Sequence, residues 1–177
     1  MREADRDAFV VGAWLCRGAV AGILGVDPCD VVISRSCPDC EREHGKPVVV
    51  GAPVHVSVSH SRELVAVAAT TSGPVGVDVE FIDPSVDLRS VARHVGIDPV
   101  GTSDRDIECF YRTWVRKESC VKATGEGLRR QLSEVVVSPA DEPAALISYA
   151  GAPLAAWIGD FDVGPGYAAA VCILPIR

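Results

Sequence analysis

The sequence has few positive charges for its length and contains no low-complexity segment. Its 177 residues include 17 lysines and arginines against 24 aspartates and glutamates, which gives a formal net charge of −7. An acidic chain of this kind is a poor ligand for nucleic acid or for an anionic membrane surface, so we expect neither partner. Hydrophobic residues make up 48% and charged residues 23%, a balance that is typical of a globular protein.

Signals for export or membrane insertion are also scarce. The N-terminus carries Arg2, Glu3, Asp5, Arg6 and Asp7, and it lacks the apolar core of a signal peptide. We expect no apolar run of the length that crosses a bilayer. The sequence therefore predicts a cytoplasmic protein that makes no membrane contact, and we expect a monomer.

Disulfides and structural zinc are both disfavoured by the cysteine pattern. The seven cysteines are an odd number, which fits poorly with a complete disulfide framework, and a cytoplasmic protein keeps its thiols reduced. Cys37 and Cys40 precede His44 at a spacing that could serve zinc, but structural zinc needs four ligands and no second Cys-x-x-Cys follows. A redox role for the two cysteines lacks a thioredoxin-like context. The sequence predicts a loop here that binds no structural zinc.

Apolar periodicity and turn residues divide the chain into helices and short strands. Helices are predicted at 7–24, at 88–94 and from a cap at Ser103 or Asp104 to about residue 124. Strands, whose succession indicates antiparallel pairing, are predicted at 31–33, 48–50, 54–58, 64–70, 75–80, 134–137, 144–148, 154–158 and 167–174. This order predicts an α+β fold of two lobes, 1–79 and 80–177, with Trp14, Tyr149 and Trp157 in the core.

The end of the long helix concentrates charge beside an aromatic ring. Trp114, Glu118 and Lys122 are spaced i, i+4 and i+8, so they share one side of the helix. Arg116 and Lys117 add positive charge to the same turns. One interpretation is a surface Glu-Lys pair worth a few tenths of a kcal/mol, and the other is a functional site at the helix end.

Two carboxylates share one face of the strand at 75–80. Side chains alternate along a strand, so Val75, Val77 and Val79 point into a core while Asp78 and Glu80 point the other way. The pair indicates either a solvated strand face or oxygen ligands for a hard divalent cation. Mg²⁺ commonly takes one or two carboxylates and shares substrate phosphates.

Two further segments carry groups that can bind phosphate. A Gly-Lys-Pro turn occupies 45–47, and the strand at 54–58 runs into Ser59, His60 and Ser61. Hydroxyl, imidazole and ammonium groups donate hydrogen bonds to phosphate oxygens. Taken alone, each segment is more often an ordinary turn or loop.

The order and spacing of these four segments resemble those of the 4'-phosphopantetheinyl transferase superfamily. The similar branch is the larger, pseudo-dimeric type that activates carrier domains of peptide and polyketide synthetases. Its motifs are Gly-Lys-Pro, Phe-Asn-x-Ser-His-Ser, Gly-x-Asp-x-Glu and Trp-x-x-Lys-Glu-(Ser/Ala)-x-x-Lys-x-x-Gly-x-Gly-Leu. This chain matches them at 45–47, 56–61, 76–80 and 114–128, with Val56 and Ser57 in place of Phe-Asn. The family's Phe-x-x-x-Glu entry to the long helix is not visible.

The resemblance implies a fold, an activity and a set of site residues. The fold would be two similar α/β lobes related by a pseudo-two-fold axis. The activity would be transfer of phosphopantetheine from coenzyme A to a serine of an acyl or peptidyl carrier protein, with Mg²⁺ or Mn²⁺. The alternative is a degenerate relative that binds a carrier or coenzyme A without catalysis.

The implied roles divide into catalysis, metal binding, donor binding and carrier binding. The metal ligands would be Asp78, Glu80 and Glu118, with Asp78, Glu118 and Lys122 catalytic. Glu118 would accept the serine proton, and Lys122 would neutralise the leaving phosphate. Coenzyme A would contact Gly45, Lys46, Pro47, Ser59, His60, Asp78, Lys117 and Lys122, with Arg6 as a candidate for the 3'-phosphate. The carrier would meet Gly125, Gly127 and Leu128.

Overall fold

The computed structural model describes residues 3–37, 40, 42–97 and 101–176, without the side chains at 3–5, 89, 90, 94 and 128. Three helices run over Glu3–Leu24 (α1), Leu88–Val95 (α2) and Asp104–Thr124 (α3). The strands are Ile33–Ser34 (β1), Val48–Val49 (β2), His55–Ser61 (β3), Leu64–Thr70 (β4), Val75–Phe81 (β5), Val135–Val137 (β6), Leu146–Tyr149 (β7), Trp157–Asp160 (β8) and Tyr167–Ile173 (β9). Each predicted element is present, with ends shifted by a few residues.

The strands form three antiparallel sheets, which confirms the predicted α+β class. Their orders are β1-β2-β3-β4, β5-β9-β8 and β6-β7. Strand β5 pairs with β9 along its whole length, from Val75 opposite Ile173 to Phe81 opposite Tyr167. The lobe boundary predicted after residue 79 falls inside β5, and the division into two lobes stays a prediction. Alternation along a strand reveals its two faces but not the strand it will pair with.

Serine side chains connect the first sheet to the second. Strand β5 lies at the edge of its sheet, so one row of its backbone groups needs partners other than β9. Alternate serines of β3 accept hydrogen bonds from these N–H groups at 3.0–3.3 Å, with Ser57, Ser59 and Ser61 bonded to Val77, Val79 and Phe81 respectively. Side chains of β3 thus align the two strands that carry the predicted site residues.

Helix α3 packs directly on β5 because that strand has a glycine at the crossing. A Cβ added at Gly76 would collide with the backbone of Ser119 and Ala123. Residues 76, 78 and 80 share a strand face, so Asp78 and Glu80 face α3. The helix begins at the predicted Ser103 cap, whose hydroxyl accepts from Asp106 N, and it ends at Gly125 with a left-handed φ of 77°.

Two of the three aromatic residues predicted for the core lie at the surface. Tyr149 is buried as predicted, with 8% of its surface exposed, but Trp14 is 65% and Trp157 is 56% exposed. Trp14 lies on the outer side of α1. The Trp157 ring packs against Gly159 two residues along its own strand, where a Cβ would lie 2.7 Å from a ring carbon. An aromatic residue on an edge strand can cover its own backbone instead of entering the core.

Helix α1 has an apolar outer face. Its inner side is buried at Gly12, Cys16, Val20 and Ala21, whereas seven apolar residues are exposed, namely Phe9, Val10, Val11, Trp14, Leu15, Ile23 and Leu24. By length and composition the segment Arg6–Leu24 could cross a membrane, with 22% of it buried in the fold. Our expectation that no apolar run is long enough to cross a bilayer is therefore wrong. The segment is apolar enough because apolar residues occupy both the buried and the exposed side of the helix. A cytoplasmic location without membrane contact stays a prediction.

Candidate active site

The buried Asp78 and Ser59 and the partly exposed Lys122 form a triangle between β3, β5 and α3. Asp78 Oδ1 accepts hydrogen bonds from Lys122 Nζ at 2.6 Å and from Ser59 Oγ at 2.8 Å. Lys122 Nζ also donates to Ser59 Oγ at 2.7 Å. Burial raises the pKa of Asp78, and the Lys122 ammonium opposes that rise. The structure therefore brings together the predicted acidic and basic residues from separate parts of the chain.

Glu80 and Glu118 extend the negative charge around this triangle. Burial raises the pKa of Glu80, and the neighbouring Asp78 carboxylate raises it further. The same two causes raise the pKa of Glu118. Glu80 is oriented by Ser61, whose Oγ donates to Glu80 Oε2 at 2.9 Å. Three half-buried or buried carboxyls with one ammonium among them leave excess negative charge that a cation can stabilise.

The carboxylates fit a hard divalent cation that retains water ligands. Asp78 Oδ2 is buried and has no hydrogen-bond partner among the described residues, so it is an unfilled acceptor inside the site. Mg²⁺ takes oxygen ligands and commonly keeps several waters. The three carboxylates do not converge as a closed cage, since in the described part of the chain only Cys37, Cys40 and His44 bring three ligand atoms within 4.8 Å of one another. Asp78 Oδ2 is the best-placed protein ligand.

Two cavities meet at Lys122. The first has a volume of about 510 Å³ and contains Lys46, Arg35 and Arg129 in its lining. The second has a volume of about 570 Å³ and contains Glu118, Arg93 and Arg130. Val121, Lys122 and Gly127 line both. Substrates bound on the two sides would therefore meet at Lys122, which binds Asp78.

Lys46 lies in a wall of the first cavity and reaches across to the end of α3. Its Nζ donates to the carbonyl of Ala123 at 2.7 Å, and burial lowers the pKa of Lys46 to about 8. Gly45 precedes it in a turn closed by a bond from Gly45 N to Arg35 O at 2.6 Å. Gly45 and the buried Pro47 line the same cavity. The predicted Gly-Lys-Pro turn thus lies beside Lys122, 76 positions further along the sequence.

Ser59 orients two neighbouring side chains, and its contact with coenzyme A phosphate stays a prediction. A hydroxyl has one donor and two acceptor positions. Ser59 Oγ donates to Asp78 and accepts from Lys122 and from Val79 N. In this arrangement the serine orients both the carboxylate and the ammonium.

His60 and Arg6 lie apart from the residues that line the two cavities. Both are exposed. His60 lies on the face of β3 opposite Ser59 and Ser61, because successive side chains alternate. Binding of coenzyme A by either residue stays a prediction.

Lys117 and Arg116 do not contribute their charges to the site. Lys117 Nζ donates to the carbonyls of Val95, Gly96 and Leu132 at 2.6–3.2 Å. These bonds direct the Lys117 ammonium to backbone carbonyls, and its contact with coenzyme A phosphates stays a prediction. Arg116 is also buried and pairs with Asp160 at 2.6 Å. One residue along a helix turns the side chain by about 100°, so neighbours in sequence point to different partners.

The loop after α3 is held by a residue that the sequence analysis did not assign. Glu126 accepts from Tyr149 Oη at 2.6 Å and from Arg130 Nε at 2.8 Å, and these bonds, Arg130 first, lower the pKa of Glu126 to about 2. The i, i+4 spacing of Glu126 and Arg130 was the available signal. Gly125 and Gly127 flank this anchor and line the cavities. The Leu128 side chain, predicted to meet the carrier, lies outside the described residues.

Comparison with known proteins gives this site a family. The sequence profile of the 4'-phosphopantetheinyl transferase superfamily matches residues 74–172, which include Asp78, Glu80, Glu118 and Lys122. The chain belongs to the 4'-phosphopantetheinyl transferase superfamily. It is 28% identical over 183 residues to a 4'-phosphopantetheinyl transferase of Bacillus subtilis, covering 96% of this chain and 75% of the relative.

Other members of the superfamily are similar over smaller shares of their length. The 4'-phosphopantetheinyl transferase HetI of Nostoc is 30% identical over 152 residues, which cover 80% of this chain and 61% of HetI. Among solved structures, the holo-[acyl-carrier-protein] synthase of Thermotoga maritima aligns with a TM-score of 0.44 at 20% identity, over 59% of this chain and 64% of that one. The alignment with the Bacillus subtilis relative extends beyond the profile match and covers nearly the whole chain.

Proposed function

We propose that this enzyme transfers 4'-phosphopantetheine from coenzyme A to a serine of an acyl or peptidyl carrier protein, with Mg²⁺ or Mn²⁺. The observation that carries the proposal is the Asp78–Ser59–Lys122 triangle, whose Lys122 lines both cavities, while Glu118 lines the second. A group transfer between two substrates needs such a junction. The relatives' names support the same reaction.

The first cavity suits the donor. Lys46, Arg35 and Lys122 supply positive charge, and Pro47, Val58 and Val121 supply apolar surface. Ammonium and guanidinium groups form short, charge-assisted hydrogen bonds with phosphate oxygens. In this arrangement the diphosphate of coenzyme A lies near Lys122, and Lys46 contacts its phosphates from the opposite wall.

The carboxylates would hold the metal ion. Asp78 through its unpaired Oδ2, together with Glu80 and Glu118, provides the oxygen ligands. When bound, Mg²⁺ neutralises negative charge on the diphosphate. Ser59 and Ser61 keep Asp78 and Glu80 in orientation.

Glu118 is placed to accept the proton of the attacking serine. Burial and Asp78 raise the pKa of Glu118, which makes its carboxylate a stronger base. The serine oxygen forms a bond to the β-phosphorus as the bond from that phosphorus to the bridging oxygen breaks. Adenosine 3',5'-bisphosphate leaves, and the Lys122 ammonium neutralises its new charge. One phosphorus–oxygen bond forms as another breaks, so the transfer needs no further reactant.

The second cavity suits an acidic carrier. Arg93 is exposed at its wall, and Arg130 and Leu132 also line it. Because the whole chain has a net charge of −7, a docking surface for an acidic partner must be locally basic or apolar. Gly125, Gly127 and Leu128 stay our prediction for the carrier contact.

Mass spectrometry of the carrier tests the reaction. An apo carrier protein incubated with the enzyme, coenzyme A and Mg²⁺ should gain the mass of one phosphopantetheinyl group. A carrier whose acceptor serine is replaced by alanine, and a reaction with excess chelator, are the controls. Binding of coenzyme A without any mass gain on several acyl and peptidyl carriers would instead support a non-catalytic binding module.

A further inference from the structure

The loop between β1 and β2 brings two cysteines and a histidine together. Cys37 is buried, whereas Cys40 and His44 are exposed. One ligand atom from each of the three lies within 4.8 Å of the others. Cys40 Sγ is 2.8 Å from His44 Nε2. These residues are separate from the carboxylates that would hold the catalytic cation.

Backbone hydrogen bonds hold this loop without using the side chains of the three candidate ligands. Cys37 N donates to Arg42 O at 2.8 Å, and His44 N donates to the same carbonyl at 2.9 Å. Gly45 N then closes the loop on Arg35 O at 2.6 Å. Cys37 and His44 therefore lie at the two ends of a turn that main-chain hydrogen bonds close.

We propose that Cys37, Cys40 and His44 bind one Zn²⁺ ion. Two thiolates and an imidazole form a soft ligand set that favours zinc over magnesium or calcium. Zn–S bonds of about 2.3 Å and Zn–N bonds of about 2.0–2.1 Å place tetrahedral ligand atoms about 3.5–3.8 Å apart. The Cys40–His44 contact of 2.8 Å must lengthen to reach this range, and the separations from Cys37, which lie within 4.8 Å, must settle into it. This revises our prediction of a loop without zinc.

The fourth ligand comes from the solvent or from a group in the cavity. Cys37 and His44 both line the first cavity, so that side of the metal stays accessible. The sequence analysis disfavoured zinc because it sought four protein ligands. A site with three protein ligands and an open position satisfies the coordination of zinc without another cysteine.

The metal would fix the segment that presents Lys46. Lys46 follows the last ligand by two residues, and its Nζ reaches the end of α3 at Ala123 O. The loop thus connects the first sheet to the helix that carries Lys122. Zinc in this position holds one wall of the cavity and takes no part in the transfer reaction.

Metal content of the purified protein tests the proposal. Protein expressed with added zinc, and purified under reducing conditions without chelator, should contain about one zinc per chain by plasma mass spectrometry. Cys40→Ser and His44→Ala should each lower that value to about one tenth or less. Cys29→Ser is the matched control, because Cys29 is exposed and lies outside the loop. It should retain the metal.

Cobalt spectroscopy of the wild-type protein is a second measurement, and its result does not depend on whether any variant folds. Protein stripped with chelator and reloaded with Co²⁺ should show a thiolate-to-metal charge-transfer band and the intense visible bands of tetrahedral cobalt. Wild-type protein with neither zinc nor these bands would overturn the proposal. So would zinc retained in both variants, or a Cys37–Cys40 disulfide found by mass in place of the metal.

Discussion

Ser59 contributes to the site by holding other residues. Its single hydroxyl orients the Asp78 carboxylate, accepts from the Lys122 ammonium and bonds the backbone of β5. From the sequence, a serine beside a histidine at a strand end resembled a phosphate ligand. The hydrogen-bonding partners of a side chain depend on which strands and helices surround it, and only the folded chain supplies that information.

Replacing Ser59 with alanine should impair turnover more than donor binding. The change leaves the Val79 N–H without its partner and Asp78 Oδ1 with Lys122 alone, so we expect a loss of about 1–3 kcal/mol in unfolding free energy. We expect kcat to fall about tenfold, since a charge-assisted bond is worth about 1.5–3 kcal/mol, with a smaller change in KM for coenzyme A. Steady-state kinetics measures both constants.

Ser57→Ala is the matched control for that experiment. Ser57 makes the same kind of bond to the backbone of β5, at Val77, without contacting Asp78. Its kcat should fall less than that of Ser59→Ala. A rise in KM for coenzyme A with unchanged kcat in Ser59→Ala would contradict this expectation and support the predicted phosphate contact.

Lys46 should give the enzyme a pH dependence on its alkaline side. Burial lowers the pKa of Lys46 to about 8, so its ammonium is present below that pH and is lost as the pH rises through it. Losing one charge-assisted contact should lower kcat/KM for coenzyme A about tenfold, because kcat/KM reports the pKa values of the free enzyme.

A Lys46→Arg variant tests whether Lys46, and not another nearby group, causes the alkaline fall in kcat/KM. The guanidinium stays protonated throughout the range, so the alkaline fall in kcat/KM should disappear. Lys46→Met should lower kcat/KM already at pH 7. An unchanged alkaline fall in Lys46→Arg would mean that another group titrates.

At the scale of secondary structure, the contact between β5 and α3 sets the geometry of the site. Gly76 lets the helix backbone approach the strand, and the following positions on the same face are Asp78 and Glu80. Glu118 and Lys122 on α3 then meet these carboxylates. The site is therefore sensitive to the distance between one strand and one helix.

Gly76→Ala should displace α3 and weaken the fold. The added methyl would collide with backbone atoms at Ser119 and Ala123, which cannot rotate away. We expect a loss of about 1–3 kcal/mol in unfolding free energy, measured by urea denaturation, together with reduced transfer activity. Gly18→Ala on α1 is the control, since nothing lies within 4 Å of its added methyl. That helical change should be neutral or stabilising. Equal behaviour of the two variants would contradict the close packing.

The elements could largely be predicted from the sequence, whereas their partners could not. The apolar patterns of α3 and β4 are local signals, and so is the serine cap at Ser103. Each of them predicted the element that the structure contains. Pairing of β5 with β9 joins residues almost a hundred positions apart, and no local pattern specifies it. The family motifs predicted roles for Asp78, Lys122 and Lys117 alike, but only the fold reveals that Asp78 meets Lys122 while Lys117 donates to backbone carbonyls.

At the scale of the whole molecule, one buried arginine joins α3 to the C-terminal part of the chain. Arg116 is 1% exposed and pairs with Asp160 of β8 through two hydrogen bonds. It also donates to the carbonyls of Ser138, Pro139 and Glu142. A buried charge with this many acceptors is stabilising only while all of them are present.

Arg116→Ala should destabilise the protein by about 3–5 kcal/mol, because it leaves buried acceptors and a partly buried carboxylate without their partner. Thermal or urea denaturation measures the change. Arg112→Ala is the control on the same helix, where an exposed arginine makes one bond to Ala140 O, and it should change stability by about 0.5 kcal/mol. A similar small effect for Arg116→Ala would show that the network is dispensable.

The central claim is that the carboxylates and Lys122 at the junction of two cavities catalyse phosphopantetheine transfer, and Glu118→Gln tests it most directly. Glutamine preserves the size of the side chain but removes the proton acceptor and the anionic metal ligand. The rate at which an apo carrier gains mass should fall about a hundredfold or more, with an unchanged circular dichroism spectrum. Glu108→Gln, at an exposed position of the same helix, should retain the wild-type rate. Near-normal turnover by folded Glu118→Gln would contradict the account.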